Sequence, residues 1–270
     1  MDYRHIAVER RNAVGVIRLN RPHVRNAQSR VLLEEMNHAF AAAELDDEIR
    51  VVVLSGAGEH FSAGHDLGTP EELEDQSQRG FGAGYYGRIN RSWNLFVESS
   101  LRWRDIKKPT IAQVQGYCIF GGFLIASCMD CIIAADDAKF LPSHLQLFTA
   151  PWDLGIRKSK QILFENRFIG AREALDLGLV SEVVPRASLD DAVMAQAARW
   201  AENDLLTLRM LKQSINQAQD AMGFRNSIEA AHSSYMLLEL SRLAGEADGT
   251  PRERVAKALA KFKQSDAKQN

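Results

Sequence analysis

Two adjacent glycines, Gly121 and Gly122, separate the apolar run IAQV at 111–114 from the small-residue run FLIAS that follows them. This order predicts a strand, a bare turn and a buried helix. Glycine has no Cβ, so an N–H group at such a helix start can point at a ligand oxygen, and the helix dipole adds positive potential there. The first turn of that helix offers Phe123 and Leu124, neither of which carries a proton. The segment therefore predicts an oxyanion site without an acid–base group beside it.

Strand and helix patterns alternate over the first two thirds of the chain, whereas the last third reads as nearly all helix. The segments IAVER, VGVIRLN and VVVLSG are typical of strands, and SRVLLEEMNHAFAAAEL is typical of a helix capped by Ser29. Residues 69–84 are acidic and glycine-rich without a clear period, and we predict a mobile excursion over the surface. The whole pattern indicates the α/β class, with a β/α core over residues 1–185 and a helical subdomain over residues 186–270.

Composition excludes several classes of protein. The 270 residues are 46% hydrophobic and 25% charged, which is ordinary for a globular protein with a full core. A net charge of −2 argues against nucleic-acid binding, because phosphate backbones reward a concentrated basic surface. The start, MDYRHIAVERR, lacks the apolar core of a signal peptide, and no run approaches the roughly 20 apolar residues that span a bilayer. We expect a soluble, cytoplasmic protein with neither a nucleic acid nor a membrane as partner.

The chain has three cysteines, Cys118, Cys128 and Cys131. The sequence CMDC has the C-x-x-C spacing of redox and zinc sites. No second ligand pair follows, and the segment is strongly apolar, where free cysteine usually behaves as a small hydrophobe. We expect neither a metal nor a disulfide.

A second glycine turn, FSAGHDLG at 61–68, follows the strand VVVLSG as GYCIFGG follows IAQV. Amides from two such turns, converging on one carbonyl oxygen, would form an oxyanion hole for an enolate or a tetrahedral intermediate. With RPHVRNAQ, DCIIAADDAKF, AREALDLGLVSEVVP and the basic end KALAKFK, these motifs resemble the crotonase superfamily, which includes enoyl-CoA hydratases and isomerases. The resemblance covers nearly the whole chain.

The resemblance implies a spiral of β-β-α units followed by a helical C-terminal subdomain that builds homotrimers or homohexamers. It implies that the backbone N–H groups of His65 and Gly121 are the oxyanion donors. It also implies an acyl-CoA substrate, with coenzyme A present only as part of that substrate and no permanently bound cofactor. The residues that would line the coenzyme A site are Arg25, Asn26, Ala27, Gln28, Ala63 and Asp66, with Lys257 and Phe262 approaching the coenzyme A of a neighbouring subunit. Arg25 reads equally well as a solvated surface charge.

The chain departs from the hydratase pattern at both catalytic glutamates. Family hydratases read approximately GGGCE where this chain reads FGGFL, so Leu124 replaces the first glutamate. The second aligns with His144 in KFLPSH. Hydration would lose an acid–base pair of which each member supplies roughly 10²- to 10⁴-fold.

Two side chains could replace that lost chemistry. His144 titrates near neutral pH, which suits proton transfer. Asp153, in APWDLG, stands beside Trp152, whose apolar wall would raise the pKa of the carboxyl. Each has a structural alternative, a hydrogen-bonded histidine and an N-cap of the helix that begins near Gly155. Leu124 and Trp152 would then line the substrate pocket.

We therefore expect a crotonase-like enzyme of the enoyl-CoA hydratase/isomerase family, of the kind found in fatty acid metabolism. It would act on an acyl-CoA thioester through an oxyanion-stabilised enolate, with isomerase-type chemistry rather than efficient hydration. The alternatives are a hydrolase or decarboxylase that cleaves a C–C bond of a CoA ester, and a catalytically inactive acyl-CoA-binding protein.

Overall fold

The computed structural model describes residues 2–142, 145–245 and 250–269. The strands found there are β1 (Ile6–Arg11), β2 (Val14–Leu19), β3 (Val51–Gly56), β4 (Thr110–Val114), β5 (Tyr117–Ile119), β6 (Cys131–Ala135), β7 (Lys139–Leu141), β8 (Ile169–Gly170) and β9 (Glu182–Val184). The larger sheet has the order β1-β2-β3-β4-β6-β9, in which only the β1–β2 pair is antiparallel. A smaller sheet has the order β5-β7-β8.

The helices of the first 185 residues are α1 (Arg30–Leu45), α2 (Pro70–Gln78), α3 (Gly84–Ser92), α4 (Ser99–Arg104), α5 (Gly121–Ser127), α6 (Ala150–Leu154), α7 (Ile156–Glu165) and α8 (Ala171–Asp176). A π-helical segment, Trp93–Glu98, joins α3 to α4. The later helices are α9 (Leu189–Ala201), α10 (Leu205–Ala221), α11 (Phe224–Leu243) and α12 (Pro251–Gln269). The predicted α/β class with a helical C-terminal part is confirmed, as is the Ser29 cap, whose Oγ accepts from Leu32 N at 3.2 Å.

Strand β3 shows how the core is layered. All six of its residues are buried, as expected for a parallel strand covered on both faces. Side chains alternate, so Val52 and Leu54 belong to the cluster that contains α1, while Val51 and Val53 face α9. Helix α9, although it follows residue 185, therefore packs directly on the sheet.

The prediction for residues 69–84 is wrong in part, because α2 occupies the first half of that segment. Thr69 caps the helix by accepting from Glu72 N at 3.4 Å, and Pro70 stands at its first position. Glu72 is buried, where it accepts from Arg30 N at 2.9 Å and pairs with Arg91 at 2.7 Å. The sequence TPEE carries this cap signal, which the acidic composition of the segment obscures.

Apolar side chains remain exposed on the C-terminal helices. On α10 these include Leu206, Leu211, Ile215 and, just past its end, Met222, while α11 exposes Leu237. No helix in the described ranges is both long and apolar enough to cross a membrane.

An ion pair between a buried lysine and a more exposed carboxylate ties α10 to the sheet. The Asp130 carboxylate, at the start of β6, accepts from Thr110 N at 2.8 Å and from Thr110 Oγ1 at 3.0 Å. Lys212 Nζ lies 2.8 Å from the same oxygen and donates to Lys108 O at 3.0 Å. The Lys212 side chain is buried, so its charge depends on these partners.

We expect Lys212→Met to lower the free energy of unfolding by about 1–3 kcal/mol, because it leaves Asp130 without its cation. Urea unfolding of the purified protein measures this loss. Lys158→Met, at an exposed position on α7, is the matched control and should change the unfolding free energy little. Equal losses in the two variants would contradict the role given to this ion pair.

Candidate functional site

The loop before α1 is fixed by one buried side chain, Asn26. Its Oδ1 accepts from Arg21 N at 2.9 Å, and its Nδ2 donates to Ala57 O and His60 O at 2.9 Å and to Phe61 O at 3.1 Å. Asn26 has a φ of 52°, in the left-handed region that asparagine tolerates better than most residues. The loop is thereby held against the end of β3.

Gln28 then pairs in parallel with the glycine turn at residues 61–68. Its N–H donates to Gly64 O at 2.8 Å, and its carbonyl accepts from Asp66 N at 3.1 Å. Both hydrogen bonds use backbone groups of the residues on either side of His65, namely Gly64 O and Asp66 N. The His65 N–H is therefore directed away from Gln28. Among the described residues, no acceptor bonds to that N–H.

The two glycine turns lie side by side. Ser62 N donates to Tyr117 O and Ile119 N donates to Ser62 O, both at 3.0 Å. A Cβ on Gly64 would lie 2.6 Å from Ile119 O and 3.0 Å from Gly121 N, so only glycine permits this approach. The Gly121 N–H, like that of His65, donates to no acceptor in the described ranges.

Phe120 holds a strained backbone at the start of α5. Its φ of 44° with a ψ of −101° is unusual for a residue with a side chain and costs about 1–3 kcal/mol. Its N–H donates to Leu141 O at 2.9 Å, which anchors the strained residue to β7. Such strain is typical of functional turns, and here it sets the direction of the Gly121 amide that follows.

The half-buried His65 imidazole lies over Gly121. A Cβ on Gly121 would lie 2.6 Å from His65 Nδ1, while His65 Nε2 is 2.6 Å from Gln146 Oε1. The ring also contacts Phe96, with 3.8 Å between centroids. Burial lowers the pKa of His65 to about 4, so the ring is neutral at physiological pH.

Gln146 extends this contact toward the C-terminal helices. Its Nε2 donates to Ser92 Oγ at 2.9 Å, and His232 Nε2 lies 3.0 Å from the same oxygen. Gln146, Ser92 and His232 carry no motif that sequence reasoning could have found, because they come from three distant segments.

A cavity of about 490 Å³ opens beside His65 and Phe120. Ala63 and Asp66, two of the residues that the resemblance implies for the coenzyme A site, also contribute to its wall. The only carboxylates on its described wall are Asp66 and Glu239. Asp66 pairs with Arg21 at 2.8 Å, and although burial raises its pKa, hydrogen bonds from Thr69, Arg21 and Gly68 lower it overall.

The other predicted coenzyme A contacts lie elsewhere. Arg25 is exposed, Ala27 is half-buried, and Asn26 and Gln28 are buried in the loop rather than on the cavity wall. Of the two C-terminal positions, Lys257 is exposed, whereas Phe262 packs on Phe168 and has Lys139 Nζ 4.9 Å from its ring.

The structure separates the remaining predicted residues from this cavity. Leu124 is fully buried on α5, and the half-buried Trp152 packs edge-on against Phe224 at 5.6 Å. Asp153 lies inside α6 and lines a second cavity of about 440 Å³ whose wall includes Ser127 and Lys212. His144 lies outside the described residues.

Asp153 is nevertheless electrostatically unusual. Its Oδ2 is buried and accepts no hydrogen bond from a described residue. Burial raises its pKa to about 6, against the opposing effect of the Thr149 and Ser127 hydroxyls. The raised pKa agrees with the environment predicted for this carboxyl.

In the described part of the chain, no three His, Cys, Asp or Glu side chains are placed to hold a metal ion. Cys118, Cys128 and Cys131 are buried free thiols. Burial raises the pKa of each of them, to about 12 for Cys128.

Comparisons with known proteins identify the family. The family model described as enoyl-CoA hydratase/isomerase matches residues 9–235. The chain is 37% identical over 243 residues to the putative enoyl-CoA hydratase EchA13 of Mycobacterium tuberculosis, covering 83% of this chain and 76% of that protein. An enoyl-CoA hydratase/isomerase structure from Xanthobacter autotrophicus Py2 matches with a TM-score of 0.79 and 28% identity, covering 97% of this chain and 99% of that one. A monofunctional enoyl-CoA isomerase structure from M. smegmatis matches with a TM-score of 0.68 and 25% identity, over 83% and 98% of the chains.

The pKa of Asp153 gives a prediction for stability. Because its folded pKa of about 6 exceeds the ordinary value of 3.8, the folded state binds a proton that the unfolded state releases between about pH 4 and pH 6. Stability is therefore lost as pH rises through that window, by about 1–3 kcal/mol. Asp153→Asn should remove this loss, so the variant gains stability relative to the wild type between pH 4 and pH 7. Urea unfolding at pH 4 and at pH 7 measures the free energy of unfolding of both proteins. Asp47→Asn, at an exposed position, is the control. If the difference in unfolding free energy between Asp153→Asn and the wild type were the same at both pH values, the prediction would be wrong.

Proposed function

This chain belongs to the enoyl-CoA hydratase/isomerase family of the crotonase superfamily, and on that premise we propose that it converts an acyl-CoA thioester through an enolate. Coenzyme A takes part only as a portion of the substrate. The observation that carries the proposal is the pair of backbone N–H groups, at His65 and Gly121, that neighbouring turns bring together without an acceptor from the described residues. Two such donors aimed at one thioester oxygen stabilise the charge that develops there.

We propose isomerase-type proton transfer rather than efficient hydration. Hydration by this family's pattern needs two carboxylates, and Leu124 replaces the first. Of the carboxylates on the described cavity wall, Asp66 is held by Arg21 and Thr69, and Glu239 is held by Arg242. Both carboxylates are therefore engaged by cationic or hydroxyl partners within the protein.

His144 is the proton carrier that we favour. An imidazole suits proton transfer near neutral pH. Asp153 has a suitable pKa, but it stands beyond Leu124 on the second cavity. The two assignments differ in a variant test, since only the true carrier abolishes proton exchange when it is replaced.

Incubation with saturated, 2-enoyl and 3-enoyl-CoA esters in deuterated water, followed by mass spectrometry, tests the proposal. We expect deuterium to enter the acyl chain, or the double bond to migrate, without gain of water. Replacement of His144 by Gln should abolish the exchange, whereas Asp153→Asn should leave it. Rapid water addition would contradict isomerase-type chemistry, and binding without any turnover would favour an inactive acyl-CoA-binding protein.

Gly121→Ala tests the oxyanion donors directly. The new Cβ would lie 2.4 Å from Gln28 Oε1 and 2.6 Å from His65 Nδ1, so both side chains must shift from their places around the Gly121 amide. We expect deuterium exchange to fall by about 10²- to 10³-fold while circular dichroism stays unchanged. Gly170→Ala, where a Cβ meets no atom within 4 Å, is the matched control. Full activity in Gly121→Ala would remove the basis of the proposal.

We also propose a homotrimer or a homohexamer built as a dimer of trimers. The support is the exposed apolar surface of α10, where Leu211 is 55% exposed and Ile215 is 66% exposed. Apolar surface of this kind is typical of protein–protein contacts.

Light scattering after gel filtration should give three or six times the mass of one chain. Leu211→Glu places a charge on that surface and should shift the mass toward one chain. Leu45→Glu, at a leucine that is 82% exposed on α1, is the matched control and should keep the assembly. A monomeric wild-type protein would contradict the assembly proposed here.

A further inference from the structure

Three arginines meet on the wall of the first cavity, around the phenol of Tyr235. Arg91 comes from α3, Arg242 from α11 and Arg254 from α12. The positive charge of each arginine acts to lower the pKa of Tyr235, although burial has the larger effect and raises it. The Nε–H group of each arginine is buried and donates to no acceptor among the described residues. Buried donors of charged groups are costly when unused, so three of them in one cavity indicate a place for an anion.

The charges of this cluster do not balance. Arg91 pairs with the buried Glu72 at 2.7 Å, and Arg242 pairs with Glu239 on its own helix. Arg254 has no carboxylate within ion-pair distance in the part of the chain that the structure describes. Among the described residues, these three guanidinium groups have two paired carboxylates, Glu72 and Glu239, and Glu239 also raises the pKa of Arg254. Each arginine keeps an Nε–H donor without an acceptor there.

The surroundings of Arg254 make its charge costly. Its side chain is half-buried, and both burial and the neighbouring Arg242 lower its pKa. Burial and Glu239 raise the pKa of Tyr235 to about 12, so the phenol stays neutral and keeps its proton as a hydrogen-bond donor. A bound carboxylate would supply the missing negative charge and accept from these donors in the forked geometry that guanidinium favours.

The cluster adjoins the two donor turns. The Arg254 guanidinium lies 5.8 Å from the Phe120 ring, and Phe120 directly precedes Gly121. The Arg91 guanidinium lies 5.5 Å from the Phe96 ring, which contacts His65. Of the predicted coenzyme A contacts, Ala63 and Asp66 lie on this wall, whereas Arg25 and Gln28 do not. An acyl chain whose carbonyl oxygen rests on the two amides can therefore direct its far end at the arginines.

We infer that the preferred substrate is a CoA thioester of a dicarboxylic acid, whose free carboxylate binds Arg91, Arg242 and Arg254 beside Tyr235. The inference rests on the proposed function, because the thioester end must occupy the amides of His65 and Gly121. The inference specifies the acyl group of the substrate, about which the two replaced glutamate positions give no information.

Calorimetric binding of three probes to the full-length protein tests it: free coenzyme A, glutaryl-CoA and 5-methylhexanoyl-CoA, which replaces the two carboxylate oxygens by methyl groups. We expect glutaryl-CoA to bind about 10- to 100-fold more tightly than its neutral analogue, as charge-assisted hydrogen bonds allow. Arg254→Gln and Arg242→Gln should each reduce this preference about tenfold while the affinity for free coenzyme A stays the same. Arg172→Gln, which makes the same charge change at a side chain that is 81% exposed, should leave all three affinities unchanged.

Two results would overturn the inference while leaving the proposed function intact. The first is equal or tighter binding of 5-methylhexanoyl-CoA by the wild type. The second is an equal loss of affinity for all three probes in Arg254→Gln, which would assign the arginines to the phosphates of coenzyme A. If no probe binds to the wild type at all, the proposed function itself fails, and the inference fails with it.

Discussion

The parallel pairing of Gln28 with the turn that contains His65 is the constraint on which the rest of the site depends. A residue in a parallel bridge bonds to the neighbours of its partner and leaves the partner's own amide free on the other side. Gln28 takes Gly64 O and Asp66 N, so the His65 N–H is left for another acceptor. Asn26 holds the loop in place for this pairing through its bonds to the backbone that follows β3.

The second donor, the Gly121 N–H, depends on the close approach of two backbone segments rather than on strand pairing. Gly64 and the segment before Gly121 come so near that a Cβ on Gly64 would meet Ile119 O at 2.6 Å. Phe120 accepts a strained φ of 44° at the same point, where family members often have another glycine. The two turns thus bring the His65 and Gly121 amides together, as the proposed oxyanion site requires, while the proposed acid–base residues are side chains. These two properties are separable because the donors are backbone atoms and the acids are side chains.

The electrostatics of the cavity differ accordingly from those of a carboxylate-based hydratase. His65 is neutral, Asp66 is bound by Arg21, and the remaining wall is rich in guanidinium groups. An environment of this kind would suit the negative charges of the proposed substrate, at the thioester oxygen and at a distant anionic group. It offers little to an ionised water nucleophile, since no carboxylate of the described wall is unpaired.

The sequence by itself determined the elements and the donor turns, because these depend on local signals. Burial on both faces makes β3 a continuous apolar run, Ser29 caps α1, and glycines stand where two backbones meet. The cap of α2 was equally local but was hidden by acidic composition. Only the tertiary structure decided where side chains from distant segments lie. It placed Asp153 on a second cavity, and it brought Arg91 together with Arg242 and Arg254, about 150 residues later. Such meetings follow from how α3, α11 and α12 pack, and side-chain packing over that separation leaves no periodic trace in the sequence.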